Sequence, residues 1–307
     1  MDDLSLRLLY SLPIPSGVMA LPETLEEQEC VIYNDFIFAI WVWGVAGDGT
    51  RYPTSDSWLG PRQKTASFKN PVGGIWAFTS VDTGGFIATL TVVKGKREYI
   101  VRESLLTLPN SIGKFPEPIA RRLLPQDSPR VIVGSGFTPL PSRYNILREQ
   151  YWHRTNESVV LAPGESKTLS WTQKSGMQST TSKEDEIAKN FGVSVSAGWG
   201  PIGASVSAGL NTRSRSFQEY AITEERTKYQ SVTLSNGTMS VQMWLRWALT
   251  DVLTIFHATG REPPPKTVST IVMEQTPQVV GGPYDPNTLA ELEAGGELPR
   301  VSETPIG

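Results

Sequence analysis

Residues 191–210, FGVSVSAGWGPIGASVSAGL, form an uncharged stretch in which apolar residues alternate strictly with glycine and serine. A period of two places the apolar side chains on one face and the small polar ones on the other, which is typical of β-strands. Gly200 and Pro201 divide the stretch into two equal halves. Glycine at the first central position suits a type II′ turn, and proline is tolerated at the second. The sequence therefore predicts an amphipathic β-hairpin.

The predicted turn sets a register in which both halves direct their apolar residues to the same face. Trp199 then lies opposite Ile202, and Val195 lies opposite Val206. A slip by one residue would mix the two faces, so this register is favoured. The apolar face consists of Phe191, Val193, Val195, Ala197, Trp199, Ile202, Ala204, Val206, Ala208 and Leu210. The opposite face carries the serines Ser194, Ser196, Ser205 and Ser207.

The length of each half matches the height of the apolar band of a transmembrane β-barrel. A strand of this length spans roughly 30 Å at ~3.3 Å per residue, or about 23 Å along a barrel axis at a ~40° tilt. The apolar band of a transmembrane β-barrel is ~25 Å tall, with apolar residues facing lipid and polar residues facing the lumen. A half-buried hairpin in a soluble sheet is the alternative. The glycine and serine face, the apolar tip at Trp199 and Ile202, and the charges that stop at both ends favour a membrane-inserting hairpin.

Composition excludes several classes of protein. The chain has 307 residues, of which 39% are hydrophobic, enough for one large or two modest packed domains. A net charge of −3 does not indicate the basic surface that binds nucleic acid. Cys30 is the single cysteine, so no internal disulfide can form, and we interpret it as a buried small hydrophobic residue.

The beginning of the sequence is a poor signal peptide, because Pro13 and Pro15 interrupt its apolar residues. The longest apolar run, residues 36–46, is too short to cross a bilayer as a helix. We therefore expect a protein that is soluble as made. If it acts outside the producing cell, it is released by lysis or by an unmarked route of secretion.

The pattern of strands predicts three parts. Residues 1–140 form a β-rich head, with strands predicted over 31–46, 76–80, 86–93 and 98–102. Residues 141–276 form a second module, in which 145–161 is a strand or a short helix, 166–173 alternates cleanly, and 238–249 is a long core strand. Residues 277–307 form a tail rich in proline and glycine, with a short helix that Asp285 would cap.

Residues 166–249 resemble the pore-forming module of the aerolysin and epsilon-toxin superfamily of β-pore-forming toxins, in a small, monalysin-like layout. The residues that carry the resemblance are SKTLSWTQKSG (166–176), the hairpin, TRSRSF (212–217) and GTMSVQMWLRW (237–247). The resemblance implies a mainly β, elongated, aerolysin-like fold and a secreted, insecticidal cytolysin. It also implies activation by proteolysis, for which Arg121-Arg122 or the tail offers a cleavage site.

A lone hairpin cannot enter lipid, because its unpaired edge groups would each cost several kcal/mol. Several chains must therefore close a barrel together, and each must hide its apolar face until then. The expected partners are a target membrane, further copies of the chain in a ring-shaped homo-oligomeric pore, and a glycan or protein receptor recognised by the head. Nucleic acid is not expected as a partner.

Catalysis is poorly supported by the sequence. His153 and His257 have no other histidine or cysteine at the spacing of metal ligands, and no G-x-S-x-G or phosphate-loop motif occurs. We therefore expect no enzyme, no metal and no cofactor. Trp58, in a predicted polar loop over residues 52–58, is a candidate for contact with a surface ligand. The alternative function is accordingly a non-lytic, carbohydrate-binding β-rich module.

Overall fold

The computed structural model describes residues 26–47, 49–109, 111–112, 127–137, 144–175, 177–179, 209–210, 226–257 and 269–283. These residues are mainly β, which confirms the predicted fold class. The strands before residue 140 are β1 (Glu27–Asn34), β2 (Ile40–Val45), β3 (Arg51–Leu59), β4 (Phe68–Pro71), β5 (Ile75–Ser80), β6 (Phe86–Thr91), β7 (Glu98–Val101) and β8 (Val131–Phe137). The later strands are β9 (Tyr144–Leu161), β10 (Ser166–Ser175), β11 (Met177–Ser179), β12 (Arg226–Ser235), β13 (Gln242–His257) and β14 (Ser269–Pro283). A short 3-10 turn covers Glu103–Leu105.

Nine strands form one sheet in the order β11-β14-β13-β9-β8-β6-β5-β2-β3. Neighbouring strands are antiparallel, except that β6 and β8 meet in parallel at Phe86 and Val131. The long strand β13 pairs along nearly its whole length with β9 on one side and β14 on the other. Because β8 and β9 are neighbours, the boundary predicted near residue 140 falls between two paired strands of one sheet. The division into three parts stays a prediction.

A second, three-stranded sheet in the order β4-β1-β7 encloses the main core against the nine-stranded sheet. Trp76 lies at the centre of this core, 5.0 Å from the ring of Tyr99 in an edge-on contact and 5.8 Å from the ring of Phe68. Burial of such large aromatic rings contributes most of the apolar area in a core. Cys30 is fully buried, as predicted.

The single strand predicted over residues 31–46 is wrong. The structure has two strands, β1 and β2, which belong to different sheets and are joined by a bend over 35–39. The buried amide of Asn34 causes the break, because its Nδ2 donates to the carbonyls of Phe38 at 2.8 Å and Gly60 at 2.9 Å. Its Oδ1 accepts from the backbone N–H of Phe36 at 3.0 Å. Asparagine side chains stabilise turns in this way by replacing ladder hydrogen bonds.

Three predictions in the second module have clear outcomes. The segment left open between strand and helix, 145–161, is strand β9. The core strand predicted over 238–249 is β13, which begins four residues later and continues to His257. The last strand, β14, reaches into the segment assigned to the tail, because residues 277–283 pair with β13 as far as the pair Gln242–Pro283.

Candidate functional site

The strands that flank the predicted hairpin in the sequence, β10 and β12, form a two-stranded antiparallel ribbon. Ten consecutive residue pairs hold this ribbon in unbroken register, beginning with Ser166 opposite Ser235. One face carries hydroxyl groups. Ser166 Oγ donates to Ser235 Oγ at 2.8 Å, and the Oγ1 atoms of Thr168 and Thr233 lie 3.1 Å apart. All four side chains are exposed, so the ribbon presents a polar, hydroxyl-lined face to solvent.

The opposite face of the ribbon packs against the nine-stranded sheet. The apolar cluster at this contact consists of Val159, Leu161, Leu169, Val232, Leu234 and Trp244. Beside it, the buried ring of Trp171 lies 5.4 Å from the guanidinium of Arg246 in a cation–π contact. Arg246 Nη2 donates to Glu157 Oε2 at 2.9 Å. Burial raises the pKa of Glu157, but hydrogen bonds from Thr155 and Arg246 outweigh it and leave the pKa lowered, so this carboxylate stays ionised.

One end of the ribbon is fixed to the sheet by Asn236. Its side-chain Nδ2 donates to the carbonyls of Leu161 at 3.0 Å and Ser240 at 2.8 Å, and its Oδ1 accepts from the N–H of Thr238 at 3.0 Å. Its backbone N–H donates to the carbonyl of Glu165 at 2.9 Å. The turns at both strand ends are therefore joined, and the other end of the ribbon, at Ser175 and Arg226, is the one nearer to the predicted hairpin in the sequence.

The predicted site residues from Phe191 to Ala208, including all four serines, lie outside the described residues. Leu210 is described. Its side chain is 1% exposed, and its backbone forms an antiparallel bridge with Gly136 of β8. The chains approach closely here, because a Cβ at Gly136 would overlap the carbonyl of Gly209, and a Cβ at Gly209 would overlap the carbonyl of Phe137. In this state, Leu210 is therefore packed within the protein, and its predicted contact with lipid stays a prediction.

The chain that precedes the predicted hairpin is also paired with the nine-stranded sheet. The chain leaves the ribbon after Ser175 and forms β11, which is the edge strand of the nine-stranded sheet. β11 pairs antiparallel with β14, and Met177 lies opposite Met273. β11, which precedes the predicted hairpin, and Leu210, its last residue, are thus paired with β14 and β8, which lie in different parts of the sheet.

Trp58 lies in strand β3, so the interpretation of residues 52–58 as a polar loop is wrong. β3 is the edge strand of the sheet, and Trp58 lies directly opposite Trp41 of β2. The Trp58 side chain is 42% exposed. Trp41 and Trp43 point to the same side, half-buried, with ring centroids 6.1 Å apart. We call Trp41, Trp43 and Trp58 the aromatic surface.

The described residues hold no group of three or more His, Cys, Asp or Glu side chains that could bind a metal ion. His153 instead forms an exposed contact, with its Nδ1 2.7 Å from Asp127 Oδ1. No helix within the part of the chain that the structure covers is long and apolar enough to cross a membrane.

No protein-family profile and no curated protein sequence matches the chain. The structure is similar to the crystal structure of Cry35Ab1, with a TM-score of 0.34 and 12% sequence identity over 78% of this chain and 73% of that one. It is also similar to the oligomeric pore-forming toxin pro-Monalysin, with a TM-score of 0.21 and 13% identity over 55% of this chain and 79% of that one.

Proposed function

We propose that the protein is a soluble pore-forming toxin that oligomerises and inserts a β-barrel into a target membrane. Each copy would contribute the hairpin over residues 191–210. The proposal requires no catalytic step and no cofactor.

The register of the ribbon is the observation that carries this proposal. In each of its ten pairs, the two residue numbers add up to 401. Gly200 and Pro201, the predicted turn residues, give the same total. A single hairpin from Ser166 to Ser235 would therefore continue the register of the ribbon to that turn without any insertion or bulge. The ribbon and the 191–210 alternation indicate the same turn independently, one from hydrogen bonding and the other from sequence.

The polar face of the ribbon and the polar face of the predicted hairpin also agree. The hydroxyl face of the ribbon consists of even-numbered residues in β10 and odd-numbered residues in β12. The predicted serine face has the same parity, with Ser194 and Ser196 in the first half and Ser205 and Ser207 in the second. Because side chains alternate along a strand, these two polar faces would be continuous in one hairpin and would line the lumen.

The proposed hairpin requires two rearrangements of the described structure. Met177 must leave Met273, and Leu210 must leave Gly136, before both can join the register of the ribbon. In the soluble state, these pairings keep the flanks of the apolar hairpin attached to the body. Hiding an apolar hairpin until the barrel closes prevents aggregation.

Tying β11 to β14 is expected to block permeabilisation. A disulfide between Met177→Cys and Met273→Cys would hold β11 in its soluble pairing, because these residues face each other across the two strands. We expect the oxidised double variant to lose most dye release from protein-free liposomes and to recover it when reductant is added.

The matched controls are the two single-cysteine variants, which should release dye with or without reductant. The buried native Cys30 would be replaced by serine in every variant. Full release by the oxidised, cross-linked protein would show that β11 does not need to leave β14.

The aromatic surface favours a second activity, recognition of carbohydrate. The exposed indole ring of Trp58 on the edge strand β3 offers a flat apolar face. Gln63 Oε1 and Trp58 Cη2 both lie within 3 Å of the position that a Cβ would occupy at Gly60, which places an amide beside the ring. We expect Trp58→Ala to weaken binding to immobilised oligosaccharides about tenfold, or about 1.4 kcal/mol.

The control for this measurement is Tyr229→Ala, which removes another exposed aromatic ring, from the ribbon. Sugar binding without any dye release from protein-free liposomes would favour the non-lytic module over the pore. Unchanged binding by Trp58→Ala would exclude the aromatic surface as the carbohydrate site.

A further inference from the structure

A buried carboxyl group joins the turn between β5 and β6 to the central strand β9. Glu149 of β9 is fully buried, and its Oε1 accepts a hydrogen bond from Thr83 Oγ1 at 2.6 Å. Thr83 lies in the β5–β6 turn, and its Oγ1 also accepts from the N–H of Gly85 at 3.2 Å. A Cβ at Gly85 would overlap Glu149 Oε1, so glycine lets the turn sit directly on the carboxyl group. This carboxyl group has no part in the proposed pore.

Two carboxyl oxygens at this contact have no hydrogen-bond partner. They are Glu149 Oε2 and Asp82 Oδ2, and both are buried. A buried acceptor without a partner is costly, and a buried carboxylate is more costly still. A proton on Glu149 removes the charge and turns one oxygen into a donor. The arrangement therefore favours the protonated form of Glu149.

We propose that Glu149 acts as a proton-dependent clasp, which holds the β5–β6 turn against β9 through Thr83 when Glu149 is protonated and loosens when Glu149 ionises. The charged groups that face Glu149 are Asp82 from the turn and Arg130, which precedes β8. Tyr151 lies on the same face of β9, under the guanidinium of Arg130. The neighbouring Arg148 and Gln150 point to the opposite face of β9, where both contact Asp251.

The direction of titration agrees with this geometry. Burial raises the pKa of Glu149 to about 7, against the opposing effects of Arg130 and the Thr83 hydrogen bond. Burial also raises the pKa of Asp82 to about 6. Since the folded pKa of Glu149 lies above its ordinary value of 4.5, the closed turn binds a proton that the opened turn releases. Its stabilisation is therefore complete below pH 4.5 and is lost as the pH rises through about 7.

Hydrogen exchange at the turn would test the clasp directly. The amides to follow are those of Gly84, Gly85 and Phe86, which donate to Ser80 O, Thr83 Oγ1 and Arg130 O. After correction for intrinsic exchange, we expect their protection to fall at least tenfold between pH 5 and pH 8. The limit over this range is about 100-fold, since each pH unit between 5 and about 7 contributes a factor of ten.

Glu149→Gln should remove most of this fall, because glutamine cannot ionise and still accepts from Thr83, and should leave only the smaller fall near pH 6 that Asp82 contributes. Thr83→Val removes the hydrogen bond that favours the carboxylate, so it should move the wild-type transition to higher pH. Asp127→Asn, at an exposed carboxyl group, should leave the transition unchanged. Constant protection in the wild type, or the same fall in Glu149→Gln, would overturn the proposal. If Glu149→Gln does not fold, a Thr83→Val transition at the wild-type pH would overturn it equally.

Discussion

Replacing Val195 and Val206 together by aspartate is expected to abolish dye release from liposomes while leaving the soluble fold intact. The two residues lie opposite each other near the middle of the predicted hairpin, on its apolar face. At the bilayer midplane, a lysine or arginine on the lipid face costs about 2–4 kcal/mol, and aspartate costs less. Each copy would bring two such charges, so the total cost grows with every subunit of the barrel.

The matched control places the same charges on the other face of the same two strands. Ser194→Asp with Ser207→Asp should retain dye release, because these residues would face the water-filled lumen, and should shift ion selectivity toward cations. Circular dichroism and gel filtration would establish that both double variants fold. Equal loss of release in the two would contradict the predicted faces. Undiminished release by the Val195/Val206 variant would show that this hairpin is not the membrane element.

Replacing Asp251 by alanine is expected to reduce the free energy of unfolding by about 3–5 kcal/mol, the usual cost of breaking a buried ion pair. Arg148 Nε donates to Asp251 Oδ1 at 2.7 Å, and its Nη2 donates to Asp251 Oδ2 at 3.2 Å, with both side chains fully buried. Gln150 Nε2 donates to the same Oδ1 at 3.0 Å. Alanine would leave the Arg148 guanidinium buried without this carboxylate. Urea denaturation at pH 7 would measure the loss.

An exposed ion pair of the same chemistry provides the control. Arg62 pairs with Asp35, and their side chains are 55% and 37% exposed. Asp35→Ala should therefore cost less than about 1 kcal/mol. Replacing Arg148 and Asp251 together by methionine and leucine should recover much of the loss, because an apolar pair needs no compensating charge. If Asp251→Ala proves as mild as Asp35→Ala, the buried pair does not stabilise the sheet as proposed.

The alternation of residues gave reliable predictions where a strand has one polar and one apolar face. The segment from Ser166 to Ser175 is such a case, because its hydroxyls face solvent and Leu169 packs inward. Two strands missed by sequence reasoning, β3 and β14, contain proline, which usually ends strands. Pro53 is tolerated in β3 because β3 is an edge strand. Pro277 is tolerated in β14 because it lies opposite Ala248, where the register of β13 shifts.

The parts of the candidate site that depend on tertiary contacts had no local signal. Gly136 is one of several glycines in the sequence, and only the crossing with Gly209 distinguishes it. Asp251 lies 103 positions from Arg148, so no window of sequence contains both. The predicted hairpin is the opposite case, because twenty consecutive residues define its two faces and its turn. Local patterning therefore predicts the element proposed to move, whereas the contacts that hold its flanks emerge only from the folded sheet.

The pairing of β9 with β13 has a consequence for the newly made chain. Eighty residues separate the end of β9 at Leu161 from the start of β13 at Gln242. At ~5–20 residues per second, the ribosome needs roughly 4–16 s to add them. Throughout that interval, one edge of β9 has no partner strand. The apolar segment 191–210 is also made before β14, the strand with which β11 pairs. The nascent chain therefore exposes an open strand edge and an apolar segment together during its own synthesis, a combination that favours aggregation.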